Sequence, residues 1–294
     1  LNTTGTPWVH SNLESVLSPS SWSLRSAAGG LMIDLGAVYA IDAMQDRGIF
    51  FIENGEELYT GQVIGEPQGF VSAPVHATVT GTVVDIADVP HPVLGRPAPA
   101  VIIEREGEDE WAEGLNAPFD SASASADDLK NMICDAGIVG MGGAAFPSHV
   151  KMRPPADQPV DVLIVNGSEC EPYLTSDHRT MLEQPEYVHQ GIRIVLRALG
   201  IERAVIGIEV NKPDAIELMR DSVPDDLDIR VQPLEVKYPQ GAEKMLIKAV
   251  TGREVPSGKL PMNVGTVVQN VGSIACIGEI FETGYPLIER VVTV

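Results

Sequence analysis

From residue 125 onward, the chain alternates between apolar runs and amphipathic helical segments, and this alternation restricts its fold more than any other feature. The run DVLIVN, at 161–166, is a continuous apolar stretch typical of strands buried on both faces. The runs RAVIGIEV from Arg203 and DIRVQPL from Asp228 predict two further strands. Because helical segments separate these runs, we expect a mostly parallel, Rossmann-like α/β sheet. Ligands of such sheets bind at the carboxyl ends of strands, where Asn166 lies.

The segments between these strands carry helix signals. Ser125 and Asp128 have the spacing of a capping box and begin the first predicted helix. An apolar stripe at helical spacing covers residues 188–199. Further helices are predicted from Asn211 and from Glu243. These helices would form the layers that cover a parallel sheet.

The pattern between residues 49 and 104 is different, with short strands punctuated by glycine and proline. Alternating apolar residues over 71–79 predict a small barrel or sandwich. The segment GQVIGEPQGFVSAPVHATVTGTVVDI resembles the lipoyl- and biotinyl-like half-barrel, but it contains no lysine from Ile64 to Ile86. A structural barrel is therefore favoured over a lipoyl-like carrier. A carrier would have a modified lysine, which measurement of the intact protein mass would detect. We expect an uninterpreted segment over 1–48, a lipoyl-like β barrel over 49–110, a linker over 111–124 and an α/β domain over 125–294.

A glycine-rich segment, GIVGMGGAAFPSHVKM, occupies residues 137–152 between the first predicted helix and the first strand of the α/β region. Glycine has no Cβ, so its backbone can adopt positive φ and a ligand can approach its amide groups. Successive amides can form an anion-binding concavity, and Lys151 would add a positive charge at its exit. A tight connection without a ligand explains a Gly-Gly pair about as well. The interpretation of this segment as a ligand site therefore depends on the motifs that follow it.

Charge and cysteine content limit the partners and cofactors. With 41 Asp and Glu against 20 Lys and Arg, the chain is a poor partner for nucleic acid. Three scattered cysteines signal neither a disulfide framework nor a thiolate metal site, and they are too few for the four ligands of a 4Fe–4S cluster. We therefore predict no metal site. The least charged long stretch, 260–278, contains Asn and Gln side chains, so no transmembrane segment is expected.

Four motifs occur along the chain in the order GMGGAAFPSHVK, NGSECEPYLTSDHR, KYPQGAEK and VVQNVG. In this order they resemble the C subunit of the Rnf ion-translocating ferredoxin:NAD oxidoreductase, over residues 69–294. They are more distantly similar to the FMN-binding flavoprotein subunit of respiratory complex I. The resemblance implies an FMN-binding α/β domain of the complex I flavoprotein type behind the half-barrel.

The same resemblance implies a function and a location. The chain would be a peripheral subunit on the cytoplasmic side of the inner cell membrane, in contact with the membrane and cluster-bearing subunits of an Rnf complex. It would bind FMN and NADH and pass electrons between NAD(H) and iron–sulfur clusters, and so indirectly ferredoxin. Hydride transfer to a flavin needs no acid–base pair, so no catalytic side chain is expected.

Site residues follow from the resemblance by position. Phe146 would stack on a ring of NADH. Glu169 would repel a 2′-phosphate and favour NADH over NADPH, with capping of a helix as its alternative role. The positions implied for FMN contact are Gly140, Gly142, Gly143, Lys151, Asn166, Glu243 and Asn270.

Some positions depart from these families. Met141, Ala145 and Ala242 replace residues of the complex I pattern, and Ala145 would crowd the loop if its φ had to be positive. The C subunits of Rnf complexes also continue into a segment with two cysteine quartets, whereas this sequence stops at Val294, so we expect a fragment without its iron–sulfur segment. Two functions stay open: a redox subunit that binds FMN, and a non-catalytic scaffold or assembly module of the same complex. Bound FMN, which is yellow, would distinguish them.

Overall fold

A computed structural model describes residues 48–90, 97–115, 117–291 and 293. The uninterpreted amino-terminal segment lies outside these residues except for Gly48. Two parts follow one another along the chain: a β part up to residue 105 and an α/β part from residue 126.

The β part consists of two three-stranded antiparallel sheets. Their strands are β1 (Gly48–Phe50), β2 (Glu57–Leu58), β3 (Val63–Pro67), β4 (Val75–His76), β5 (Gly81–Pro90) and β6 (Pro97–Arg105). One sheet has the order β1–β3–β4 and the other the order β2–β5–β6. A small core lies between them, formed by Ile52, Leu58, Ile64, Ala77 and Val83. The prediction of a small all-β unit ahead of the α/β region is confirmed.

The alternating run over 71–79 forms less strand than its pattern predicts. Only the two residues of β4 form a strand, and the segment before it bends, with the Ser72 hydroxyl donating to the Gly69 carbonyl oxygen at 2.6 Å. Pro74 has no N–H group and cannot donate to a strand ladder. Ala73 instead packs into the main core of the α/β part. The pattern therefore predicted the burial of Ala73, Ala77 and Val79 correctly, but Val71 is exposed and Ser72 and His76 are buried, and the strand is shorter than predicted.

The α/β part contains a four-stranded sheet in the order β10–β7–β8–β9, and all three pairings are parallel. Its strands are β7 (Val162–Gly167), β8 (Arg203–Glu209), β9 (Asp228–Leu234) and β10 (Thr266–Asn270). The helices are α1 (Ala126–Asp135), α2 (Ser148–Lys151), α3 (Ser176–Glu183), α4 (Pro185–Leu199), α5 (Pro213–Asp221), α6 (Glu243–Thr251) and α7 (Val271–Thr283), with a 3₁₀ turn at Pro261–Val264. The predicted fold class, a mostly parallel α/β sheet, is confirmed.

Local sequence sets several of these boundaries. Ser125 and Asp128 form the predicted capping box, with the Asp128 N–H donating to the Ser125 hydroxyl at 3.2 Å. Gly200 follows α4 in the left-handed conformation, with φ of 68°, which releases the chain towards β8. Asn270 accepts from the N–H groups of Gly272 and Ser273 and so caps α7.

The sheet carries apolar side chains on both faces, as its strand alternation requires. Leu163 and Val165 belong to the larger core, whereas Val162 and Ile164 belong to the smaller one that α6 completes. In the larger core, α7 packs so closely on α4 that a Cβ on Gly191 would collide with the Ile274 carbonyl oxygen. Across the described ranges, we find no helix that combines the length and the apolar character needed to cross a membrane.

The segment predicted as a linker, 111–124, is in contact with the end of the α/β part. The ring of Trp111 stacks on that of Tyr285, with centroids 3.6 Å apart and planes 4° from parallel. Further along, the Phe119 N–H donates to the Phe281 carbonyl oxygen at 2.9 Å. The β part and the α/β part are therefore packed together through this segment.

Candidate functional site

The register of the sheet brings two predicted site residues together. Asn166 lies near the carboxyl end of β7, and its partner in the parallel β10 ladder is Asn270. Parallel strands have their carboxyl ends at one edge, so both asparagines lie at the edge where ligands of such sheets bind. The Asn166 side chain donates to the Gly241 carbonyl oxygen at 2.8 Å and accepts from the Ser168 N–H at 3.1 Å. Asn166 thus ties two loops of this edge together.

The Asn270 side chain is engaged at both ends. Its oxygen accepts from the Gly272 and Ser273 N–H groups at 2.9 and 3.2 Å. Its nitrogen donates to the Asp177 carboxylate at 2.7 Å. Asn270 therefore connects the start of α7 with the start of α3.

The glycine-rich loop is a short hairpin above Asn270. The Gly140 N–H donates to the Phe146 carbonyl oxygen at 2.8 Å, and the Ser148 N–H donates to the Ile138 carbonyl oxygen at 2.9 Å. At the tip, a Cβ on Gly142 would lie 3.3 Å from the Asn270 Cβ, which is tighter than ordinary side-chain contacts. Glycine at this position therefore lets the loop approach the sheet edge.

The backbone of the loop includes three positive φ angles, one at its first residue, Gly137, and two near its tip. Gly143 has φ of 101°, which glycine adopts freely, but Ala145 has φ of 44° and is fully buried. Ala145 therefore has the positive φ at which crowding of the loop was expected. Phe146 is half-buried, and its carbonyl oxygen closes the hairpin.

Lys151 and Glu243 are brought together by α2 and α6. The Lys151 Nζ donates to Glu243 Oε1 at 3.2 Å and to the Val268 carbonyl oxygen at 3.0 Å. Glu243 is the first residue of α6, where the helix dipole favours a negative charge. Both side chains are partly exposed, at 29% and 39%, so each can also meet a ligand.

Glu169 lies at the start of α3. Its two carboxylate oxygens accept from the Asp177 and His178 N–H groups at 2.7 and 3.3 Å. This geometry is the helix cap that the sequence offered as the alternative role of Glu169. Its effect on a 2′-phosphate stays a prediction.

Three charged residues at this edge were not anticipated from the sequence. Burial, with Glu169 as the next cause, raises the pKa of Asp177 to about 7, although the Asn270 amide and Lys212 oppose this. Glu209, the last residue of β8, is buried beside Lys212, with Nζ and Oε2 3.7 Å apart. The only signal in the sequence was the position of Glu209, near the carboxyl end of the strand predicted from Arg203.

Gly241 is held through both of its backbone groups. Its N–H donates to the Cys170 Sγ at 2.8 Å, and its carbonyl oxygen accepts from Asn166. A Cβ here would lie 2.5 Å from the Ser168 carbonyl oxygen, so no larger residue fits. Burial raises the pKa of the Cys170 thiol, and Glu171 adds to the effect although the Gly241 N–H opposes it. The thiol is a hydrogen-bond acceptor here rather than a nucleophilic thiolate.

Two buried polar atoms beside Gly241 lack partners within the described residues. They are the Ser168 Oγ and the Gln240 Oε1, in side chains that are 6% and 2% exposed. Buried polar groups are normally hydrogen-bonded, so these atoms are suited to a ligand or to water. Together with the close glycines, they fit a nucleotide such as FMN at this edge.

Other parts of the described chain offer less. A groove of about 250 Å³ is lined by Glu186, His189, Gln190, Arg193, Ser222 and Pro224 and contains none of the predicted site residues. Groups of three or more His, Cys, Asp or Glu that could hold a metal ion are absent from the described ranges. We therefore assign the candidate site to the carboxyl edge of the sheet.

Two family models match the chain. Residues 133–279, half of the chain, match the Nuo51 FMN-binding domain. Residues 43–108 match the RnfC Barrel sandwich hybrid domain. In a solved structure of an NAD+-reducing [NiFe]-hydrogenase in the air-oxidized state, a similar region superposes with a TM-score of 0.50 and 25% identity. That similarity covers 55% of this chain and 31% of the hydrogenase chain.

Curated relatives carry a common description. The C subunit of the proton-translocating ferredoxin:NAD(+) oxidoreductase complex of Clostridium ljungdahlii is 50% identical over 243 residues, or 83% of this chain and 53% of the relative. The C subunit of the Na(+)-translocating complex of Acetobacterium woodii is 46% identical, over 82% of this chain and 54% of the relative. For the C subunit of the ion-translocating oxidoreductase complex of Haemophilus influenzae the identity is 39%, over 89% and 32%. The chain spans about half, or less, of the length of these relatives.

The fold, the site at the sheet edge and the matched family model define a class, that of proteins with a Nuo51 FMN-binding domain. Within this class, the chain belongs to the family of the C subunits of Rnf-type ion-translocating oxidoreductase complexes. The resemblance found in the sequence motifs is therefore confirmed.

Proposed function

We propose that this chain is the FMN-binding part of an Rnf-type C subunit, a component of an ion-translocating electron transport complex, and that FMN binds at the carboxyl edge of β7 and β10. The observation that supports this most is the convergence of the glycine-rich loop, Asn166, Asn270 and the Lys151–Glu243 pair at one edge. The match to the Nuo51 FMN-binding domain supports the choice of ligand.

The residues of this edge have distinct tasks in the proposal. The amides of the glycine-rich loop and Lys151 would hold the phosphate and ribityl chain. Ser168 and Gln240 would give hydrogen bonds to polar groups of the ring, since both carry buried atoms without partners in the described chain. Asn166 and Asn270 would fix the loops around the ligand through their bonds to Gly241 and α7.

When bound, FMN would supply the redox chemistry, which is to accept a hydride and release single electrons. The chain would contribute position and electrostatics, with Phe146 and Glu169 facing NADH. Electrons would pass to 4Fe–4S clusters outside the described residues or in partner subunits, and then to ferredoxin. The subunit would lie on the cytoplasmic side of the membrane, beside the other Rnf subunits.

A scaffold function is the second candidate, and two contacts favour it. Lys151 is already paired with Glu243, and the Asn270 side chain already bonds within the protein through both its nitrogen and its oxygen. In this alternative, the fold would persist as an assembly module without flavin chemistry.

Titration of FMN into the purified chain tests the proposal, with flavin fluorescence as the measurement. We expect binding that Lys151→Ala weakens about tenfold, because a charge-assisted contact to the phosphate is lost. Lys244→Ala, one residue beyond Glu243 in α6, is the matched control and should bind FMN like the unchanged chain. NADH should then bleach the bound flavin. A folded chain that binds no FMN would contradict the proposal and favour the scaffold.

A further inference from the structure

A short segment of the β part, residues 69–76, contacts both ends of the glycine-rich loop, and we call it the brace segment. It comprises β4 and most of the connection that leads to β4 from β3, and the Ser72 hydroxyl closes a turn within it. In its middle, Ala73 packs into the main core of the α/β part. The brace segment is therefore fixed to the α/β part, although its flanking strands belong to the β part.

At the start of the loop, the brace segment meets Gly137. His76 is 4% exposed, and its ring donates to the carbonyl oxygen of Asp135, the last residue of α1. Gly137 has φ of 70°, and a Cβ there would lie 2.9 Å from the Pro74 carbonyl oxygen. Glycine at this position therefore lets the first stem of the loop approach the brace segment closely.

At the end of the loop, the brace segment meets His149, which is also 4% exposed. Burial lowers the pKa of His149, which favours the neutral ring with its single N–H group. This group donates to the Phe70 carbonyl oxygen; it is on Nε2, because Nδ1 has no partner within the described chain. The Phe70 ring meets the His149 ring edge-on, with centroids 6.5 Å apart. His149 directly follows Ser148, whose N–H closes the hairpin, and lies two residues before Lys151.

We propose that the brace segment positions the glycine-rich loop for its ligand, with His149 as the positioning residue. The proposal rests on the proposed function, because the ligand is FMN. Between its two ends, the loop is held by bonds between its own stems and by the Met141 N–H, which donates to Ser273 Oγ at 2.8 Å. Contacts at both ends reduce the conformations of the empty loop, so less conformational entropy is lost when a ligand binds.

The test compares variants of the whole chain by two measurements, the affinity for FMN and hydrogen exchange of the loop amides. His149→Phe keeps a ring but loses the donor, and we expect about fivefold weaker FMN binding. The Gly140 and Ser148 amides should exchange faster in this variant, with no change in β7 or β8. His149→Gln keeps an N–H donor and should restore most of the affinity.

A matched control is His189→Phe, because His189 is equally buried and its ring also donates to a backbone carbonyl oxygen, that of Met219. It should bind FMN within about twofold of the unchanged chain. If His149→Phe does not fold, Phe70→Ala changes the same contact at a side chain that is 61% exposed, and we expect about threefold weaker binding.

Two results would overturn the inference: unchanged loop exchange in the His149 variant, or faster exchange with unchanged FMN affinity. A failure of the proposed function looks different, because the unchanged chain itself would then not bind FMN. In that case the brace segment would have no FMN to position, and the inference would fail with the function.

Discussion

At the scale of single residues, Ala145 holds a backbone conformation that is costly for any residue with a Cβ. Its φ is 44°, and it is fully buried in the main core of the α/β part. Alanine, whose side chain is a single methyl group, can adopt this positive φ, but a β-branched residue cannot do so without strong strain. The loop therefore accepts a narrow choice of residues at this position.

We expect Ala145→Val to lower the free energy of unfolding by about 2 kcal/mol, because valine at positive φ is strained. Ala145→Gly should change it by less than about 1 kcal/mol, since relief of strain and added flexibility of the unfolded chain oppose each other. Urea unfolding measures both. Ala144→Val, at the exposed neighbour without positive φ, is the control. Equal effects of the two valine substitutions would contradict this explanation.

How far the site residues could be predicted differs from residue to residue. Asn166 follows from the sequence, because it ends an apolar strand. Asn270 came only from the family resemblance, since its place depends on pairing between strands that are far apart along the chain. Asp177 and Lys212 could not be found, because burial and nearby charges, rather than any motif, make them unusual.

At the scale of elements, the periodic segments were the predictable ones. The β7 to α6 region alternates between continuous apolar runs and helical stripes, and the structure follows it except at α3, for which no helix was predicted. By contrast, β10 and α7 had no separate prediction. α7 is apolar on nearly all sides because it is buried, so its sequence lacks the polar face that marks a helix.

The crossing of α4 and α7 depends on two glycines. A Cβ on Gly278 would collide with the Tyr187 carbonyl oxygen, so we expect Gly278→Ala to lower the free energy of unfolding by about 3 kcal/mol. Thermal and urea unfolding measure this loss. Glu282→Ala, at an exposed position of the same helix, should have an effect below about 0.5 kcal/mol. A Gly278 variant as stable as this control would show that the helices can separate without loss.

At the scale of the whole molecule, the two parts are joined by buried polar contacts as well as by apolar ones. His76 belongs to the β part and bonds to the end of α1. Burial lowers the pKa of His76 to about 4, although the Asp135 carbonyl oxygen opposes this. Joining the parts therefore requires a neutral His76.

This requirement predicts a pH dependence. Between pH 4 and the ordinary histidine pKa of 6.5, the unfolded chain binds a proton at His76 that the folded chain does not. Stability due to this residue is complete above about pH 6.5 and falls as the pH drops, by up to about 1.4 kcal/mol per pH unit. We expect the stability difference between the unchanged chain and His76→Gln to shrink from pH 7.5 to 5. Urea unfolding at several pH values measures it, and a constant difference would contradict the prediction.

The strand order of the sheet has a consequence for biosynthesis. β10 follows β9 along the chain but pairs with β7, so the order of synthesis differs from the order in space. On the ribosome, β7, β8 and β9 can pair once residue 234 has emerged, whereas Asn270 reaches Asn166 only after residues 266–270 have followed. Until then, one edge of β7 exposes unpaired backbone N–H and C=O groups, which are open to wrong partners. Pairing of β10 with β7 therefore covers this exposed edge and completes the candidate ligand site at the same time.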